Sequence, residues 1–474
     1  MKYLTLILLL ISFCGFSQNI MTTSPQKLSN EITHFDIVGK VGDNIILHKY
    51  GKNYFEINAY NANDLSLNWS KKLQFKYKKL KIIDLVITNT GAYAFYSVKN
   101  GNRTSVLVQP YDFQFRITGE PMLVNYLNYG DETVRLNHNI NRSRFVLEII
   151  DKQSADLNVE IIVMDADLNK LYSQKIKKDN DWVFKESLIN INGEVVVVFE
   201  KAKSGLFAGD GIEMVEFIGL TADTLKSQIF ENENFKIKNL KYAVDQQNGF
   251  VQVGGIYTES ADETGYHFSQ LDMENMEWQS SVFNIFDKQI NDKTAKKALL
   301  GSKSQLSKLK VLKLIPTKNR GTLLVAEFYE KNLMVNSSAN IYTDIFAGRE
   351  RDIETYEYGD LVVLTLDDTG AMENFEVLKK RQYSENDNGI FSSVGVLNNG
   401  KNIRLVFNEK IDYISPVNGF TINKKGASGI QTLFNSEKYD MLMSPKHGEQ
   451  ISHNQMVIPA YTTRNYFVLA LLEW

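Results

Sequence analysis

Hydrophobic residues along this chain fall into short extended runs, and the runs come in pairs joined by tight polar turns. The pattern reads "YFEINAYNANDLSLNWSKKL" from Tyr54, "LNVEIIVMDADLNKLYSQKI" from Leu157 and "GIEMVEFIGLTADTLKSQIF" from Gly211. It returns as "GYHFSQLDMENMEWQSSVF" from Gly265 and, most clearly, as "YGDLVVLTLDDTGAMENFEVL" from Tyr358, with a divergent copy from Arg103. Alternating or doubly apolar runs bounded by Asp, Asn, Thr and Gly predict β-hairpins. A second hairpin precedes most of them, as in "LININGEVVVVFE", "AVDQQNGFVQVGGIY" and "LIPTKNRGTLLVAEFY". The unit is therefore four strands, repeated every ~50–60 residues, a period at which radial sheet repeats occur.

Such units predict an all-β protein, a β-propeller of about eight four-stranded blades with seven as the alternative, in a single domain over 18–474. An array of β-sandwich modules is the competing architecture. It would need linkers between modules, and no Pro- or Ser-rich stretch separates the units. The third strands begin near 54, 104, 159, 212, 266, 360 and 419, and the eighth is "YFVLALLEW" at 466–474. This last run is apolar on both faces, so it must be covered on both. No fourth strand follows it. The segment 20–32 precedes the first blade and has no blade of its own, so it is expected to pair with 466–474 and close the fold without a bare sheet edge.

Turns between the first and second strands, and between the third and fourth, are short. The long connections are 200–211, 257–265, 286–309 and 329–359. In a four-stranded meander they leave from one face, and long loops on a rigid scaffold carry function more often than short ones. Segment 286–309 has the pattern of a helix, with Phe286, Ile290, Ala298 and Leu299 as a coarse apolar stripe and Gly301 as its stop. It is rich in Lys, whereas the second half of 329–359 holds Glu350, Asp352, Glu354 and Glu357. The two are expected to pack as a lid or to build a partner site around Tyr342, Phe346, Arg349 and Arg351, residue types that interface centres favour.

The bulk composition changes little in this picture. Of 474 residues, 43% are hydrophobic and 11% aromatic, and the formal charge is −3 with both signs interspersed. That argues against a nucleic-acid stripe or a polybasic membrane patch. The N-terminal "MKYLTLILLLISFCGFSQ" has the positive start, short apolar stretch and small residues of a secretory leader. Cleavage near Ser17 would remove the only cysteine, Cys14. A lipid anchor at Cys14 is disfavoured because Phe13 stands where a small residue is required. The "FSQ" ending resembles leaders of flavobacteria. The expected product is exported, periplasmic or extracellular, monomeric and not membrane-spanning, with no second apolar segment long enough to cross a bilayer.

The candidate chemistry is sparse. "DADLN" (Asp165 to Asn169) opens like a calcium loop, but Lys170 and Ile176 stand where glycine and a carboxylate belong, so a hairpin turn is favoured. The six histidines lack metal-ligand spacing, and neither a metal nor a cofactor is expected. Asp36, Asp84 and Glu186 lie on first strands of blades one, two and four, with His34 and Arg135 near, where polar groups would face a channel mouth. Converging carboxylates there would suit glycoside cleavage.

The stretch 323–409 adds a resemblance. Glu327, Gly370, Lys380 with Gln382, and Ser392 with Ser393 follow a pattern seen in uncharacterised exported β-propeller-like proteins of the Bacteroidota, with Phe375 where that pattern has Trp. The resemblance implies a fold and a compartment but no activity. No secretion-sorting domain is visible, which favours the periplasm. The sequence reading is thus a cell-envelope binding or scaffold protein that meets a protein or glycan through its loop-rich face. The alternative is a carbohydrate hydrolase or lyase using Asp36, Asp84 and Glu186.

Overall fold

The computed structural model describes residues 19–474 except 53, 78, 102, 129–131, 153–155, 204–210, 232–235, 259–263, 287–304, 335–352 and 424–425. The predicted leader with Cys14 lies outside the described residues. Eight antiparallel four-stranded blades follow one another in the chain, and the architecture is an all-β propeller. Blade 1 has strands His34–Val41, Asn44–Tyr50, Phe55–Asn61 and Leu67–Lys72. Blades 2 to 5 follow from Leu80, Thr133, Trp182 and Lys236. Blade 6 is Leu309–Pro316, Thr322–Met334, Ile353–Leu366 and Met372–Leu378, and blade 7 runs from Gly395 to Asn435. Blade 8 takes Leu442–Met443, Gln455–Tyr461 and Phe467–Glu473, and its fourth strand is Asn19–Thr22. The chain divides into two compact units, one holding blades 7, 8 and 1 and the other blades 2 to 6.

In the first unit, blades 7 and 8 close on Leu397, Val406, Met456 and Ile458. Blades 8 and 1 close on Ile45, Leu47, Val457, Leu469 and Leu471. The last strand is buried on both faces, as its composition requires, with Phe467 to Leu472 between 0% and 3% exposed. The expected closure of this blade is present, but narrower than 20–32. Asn19 to Thr22 pair with Glu473 to Ala470, Thr23 N–H donates to Leu469 O at 3.0 Å, and a bridge joins Gln26 to Phe467. In the second unit each adjacent pair of blades shares its own apolar cluster, for example Val146, Val159, Ile161 and Phe199 between blades 3 and 4.

The tight turns explain why Asp and Asn recur. At the third-to-fourth turn of blade 3, Asp165 Oδ1 accepts the N–H groups of Asp167 and Asn169, both at 2.9 Å. Asp112 and Asp367 do the same in blades 2 and 6. These turns pass through a left-handed residue, Phe115 at φ 54, Leu168 at φ 64 and Gly370 at φ 85. That conformation costs an L-residue about 1–2 kcal/mol, and at Phe115 the cost is offset by a side chain only 1% exposed in the core. Gly370 has no such choice. A Cβ there would lie 2.5 Å from Val282 Cγ2 and 2.8 Å from Phe268 Cδ1. "DADLN" is one of these turns.

Two expectations change. Residues 329–334 and 353–359 are strand, not loop: Tyr329 to Met334 pair in register with Tyr358 to Ile353, and Lys331 Nζ meets Glu354 Oε1 at 2.9 Å. The polar side chains that read as a loop are cross-strand partners. Of the expected helix 286–309, Phe286 is instead a core residue between blades 5 and 6, Gln305–Lys308 is a 3-10 turn, and Leu309 already begins a strand. Its remainder, and Tyr342, Phe346, Arg349 and Arg351, lie outside the described residues.

Candidate functional site

One position late in the second strand of several blades is polar and buried: His48, Glu148, Glu200, Glu327 and Asn408 are each at most 8% exposed. A charge or amide among apolar neighbours must find partners, and most of these find them in the blade that follows. Glu148 Oε1 accepts from Ser187 N (2.9 Å) and Ser187 Oγ (2.5 Å) on the first strand of blade 4, while its Oε2 meets Arg135 Nε at 3.1 Å. Glu200 Oε1 accepts from Tyr242 Oη (2.7 Å) on the first strand of blade 5, and its Oε2 meets Lys185 Nζ at 2.9 Å. Asn408 Nδ2 donates to Met443 O on blade 8 at 2.8 Å. Glu327 meets Lys380 Nζ at 2.6 Å with both side chains at most 1% exposed. Glu148, Glu200 and Asn408 thus join one blade to the next, while Glu327 is paired within blade 6.

The residues carrying the Bacteroidota resemblance sit in this system. Gln382 Nε2 donates to Asn408 O at 2.6 Å, and its Oε1 accepts from Ser393 N at 2.8 Å. Gly370 O accepts from Tyr266 Oη at 3.1 Å, and Phe375 lies in the core shared by blades 5 and 6. Their types follow from packing and buried polarity.

The three carboxylates suggested for catalysis have different surroundings. Asp36 is exposed, opposite His48 in the strand register. His48 is pushed down to about 3 by burial. Asp84 is half-buried, accepts from Leu85 N at 2.7 Å and lies near the Arg142 guanidinium. Glu186 is half-buried beside Lys241, Glu148, Lys185 and Arg135, and burial pushes its carboxyl above the usual range. Sequence reasoning found Glu186 and Arg135 but missed Glu148, Glu200, Lys185, Lys241 and Tyr242. The usable signal was a lone Glu inside an apolar strand, in "RFVLEII" and "VVVVFEK". Among the described residues no group of three or more His, Cys, Asp or Glu side chains is placed to hold a metal ion.

The second candidate is the connection-rich edge of blade 6. Its second and third strands run 13 and 14 residues, whereas the same strands in blades 1 to 5 run 7 to 10. The first strand pairs only as far as Phe328. The hairpin therefore continues past the first strand as an arm, 329–334 with 353–358, and a further short strand, Gln382–Glu385, also pairs with the third strand of this blade. At the base of the arm Lys308 Nζ meets Glu330 Oε2 at 2.7 Å, and near its end Leu333 is 56% exposed.

No protein-family model and no curated protein sequence matches the chain. Solved structures align with it at low identity. The WD40 domain of SCAP from fission yeast has 9% identity and TM-score 0.41, over 97% of this chain and 99% of that one. The Dos1 propeller has 8% identity and TM-score 0.48, over 97% and 96%. The polysaccharide lyase Uly1 has 9% identity and TM-score 0.40, over 95% and 92%. At these values the likenesses say nothing about activity, and the propeller assignment rests on the eight blades themselves. Propellers serve binding and catalysis alike, so function has to be argued from sites. No helix among the described residues is long and apolar enough to cross a membrane.

Proposed function

We propose that the protein is an exported binding or scaffold protein of the cell envelope that engages a protein or glycan partner through the face carrying the blade 6 arm. The arm is the observation that carries this reading. Thirteen- and fourteen-residue strands exceed those of blades 1 to 5, and the surplus residues pair with one another from Tyr329 with Tyr358 to Met334 with Ile353. The buried acids Glu148 and Glu200 are engaged in contacts between blades, and Glu327 is held by Lys380. The leader-like N-terminus supports export.

The test is affinity capture from envelope extract with the tagged mature protein and a variant in which 333–355 is replaced by a short Gly-Ser linker. The variant removes no residue that pairs with the first or fourth strand of blade 6, so its melting transition should match that of the wild type. The partner recovered with the wild type should be absent. Equal recovery with both proteins would place the contact elsewhere.

A further inference from the structure

Charges of both signs are mixed along most of the chain, but one stretch departs from that. Between Asp64 and Asp112 there are eight lysines and arginines and a single acid, Asp84, in a protein of formal charge −3. Five of these bases lie on blade 2 or in the segment leading into it. Lys76 Nζ meets Glu120 Oε2 at 3.2 Å. Lys79, Lys81, Lys99 and Arg103 are exposed and form no ion pair with another described residue. Leu80 pairs with Val98, so Lys79 stands beside Lys99 at the end of the ladder. Like charges so placed destabilise a sheet, and no described residue of the blade neutralises them. Blade 3 treats its fourth-strand lysines differently: Lys175, Lys177 and Lys178 each have an acid, in Glu160, Asp156 and Glu216.

The outer strand of the same blade, Met122–Leu127, is apolar where it meets solvent. Its exposed side chains are Met122, Leu123 and Tyr126, at 41%, 48% and 53%. The exposed positions of the fourth strands in blades 1 and 3 to 7 all include polar or charged residues. Ser105 pairs with Tyr126 and Leu107 with Leu123, so Leu123 and Tyr126 lie on the face that carries Leu107. Phe75 and Tyr77 pack on that face, against Tyr96, Val98 and Leu107. The basic and apolar groups are therefore contiguous. Lys76 reaches the start of the outer strand through Glu120, and the Arg103 guanidinium sits 6.0 Å from the Tyr126 ring centroid near its end.

We infer that this edge of blade 2 is a docking surface for a bilayer of anionic phospholipid. Apolar side chains rimmed by bases suit that boundary: the apolar groups enter the acyl region while lysine and arginine reach the headgroup phosphates. Other occupants fit less well. An added strand would need a regular edge, and the outer strand carries an extra residue, Val124, between the Val106 and Leu107 pairs. A second copy would bring a second excess of positive charge. An acidic polysaccharide would use the bases but leave Met122 and Leu123 in water. The surface does not involve the blade 6 arm.

The test is flotation of the mature protein with vesicles of phosphatidylcholine alone and of phosphatidylcholine mixed with phosphatidylglycerol. Wild type should float with the mixed vesicles and not with the neutral ones, and added salt should release it. Lys79→Gln/Lys99→Gln should weaken the partition about fivefold for each lysine. Leu123→Ser/Tyr126→Ser should weaken it about tenfold or more. Both pairs replace exposed side chains, so both variants should melt with the wild type. The 333–355 linker variant should float as the wild type does. Absence of flotation, equal flotation with neutral vesicles, or undiminished flotation of Leu123→Ser/Tyr126→Ser would overturn the inference. A wild type that is retained on immobilised polygalacturonate but does not float with the mixed vesicles would overturn it in favour of an acidic polysaccharide.

Discussion

Replacing Lys380 with Met should unfold this protein more readily than almost any other single polar substitution. The Lys380 and Glu327 side chains are 0% and 1% exposed and lie 2.6 Å apart. The Lys380 ammonium also sits 5.8 Å from the Tyr358 ring centroid. Burial lowers the Lys380 pKa and the Glu327 carboxylate opposes that shift, the signature of a desolvated base held by its partner. Lys380→Met removes the counter-charge and leaves Glu327 buried, with Leu361 opposite it in the strand ladder and Val325 two positions along its own strand, both 0% exposed. Breaking such a pair from one side costs about 3–5 kcal/mol, whereas replacing both partners by apolar residues of similar volume is neutral or stabilising by about 1–4 kcal/mol. The double variant Glu327→Leu/Lys380→Met should therefore recover most of what the single variant loses. Urea unfolding followed by tryptophan fluorescence and far-UV circular dichroism reads both. A Lys380→Met midpoint within about 1 kcal/mol of wild type, or a double variant as unstable as the single one, would refute the reasoning.

Acid should destabilise the fold early. His48 and His267 are both pushed down to about 3 by burial. Unfolded histidine titrates near 6.5, so below that pH the unfolded chain takes up protons that the folded one refuses. Stability should fall by roughly 1.4 kcal/mol per pH unit for each histidine between about pH 6.5 and 3, and His48→Gln/His267→Gln should flatten the melting profile over that window. Leu469→Ala, at a position 0% exposed between blades 8 and 1, should cost about 2–5 kcal/mol by chemical denaturation. Asp165→Ala should cost about 1 kcal/mol, because two turn N–H groups lose their acceptor; a melt indistinguishable from wild type would remove that role.

The repeat was legible because period-two alternation and Asn, Asp and Gly turns are local signals, and each blade restates them. Blade 8 was legible too, since a strand apolar on both faces demands cover and 20–32 was the available segment. The arm was not, because "YEKNLM" is polar enough to read as loop; it becomes strand through cross-strand partners such as Lys331 with Glu354. Glu186 stood out as an acid on a first strand, but its setting depends on Lys241 in the next blade. Nothing local links residues 55 positions apart. Glu148 and Glu200 were hidden inside apolar runs, where a single charge looks like noise until the neighbouring blade supplies Ser187 or Tyr242.

Hydrogen–deuterium exchange on the protein alone and with its captured partner tests the binding face most directly. Peptides covering 329–334 and 353–358 should exchange more slowly in the complex, while turn peptides such as 165–169 keep their free rate. Protection confined to those turns, with the arm unchanged, would contradict the account.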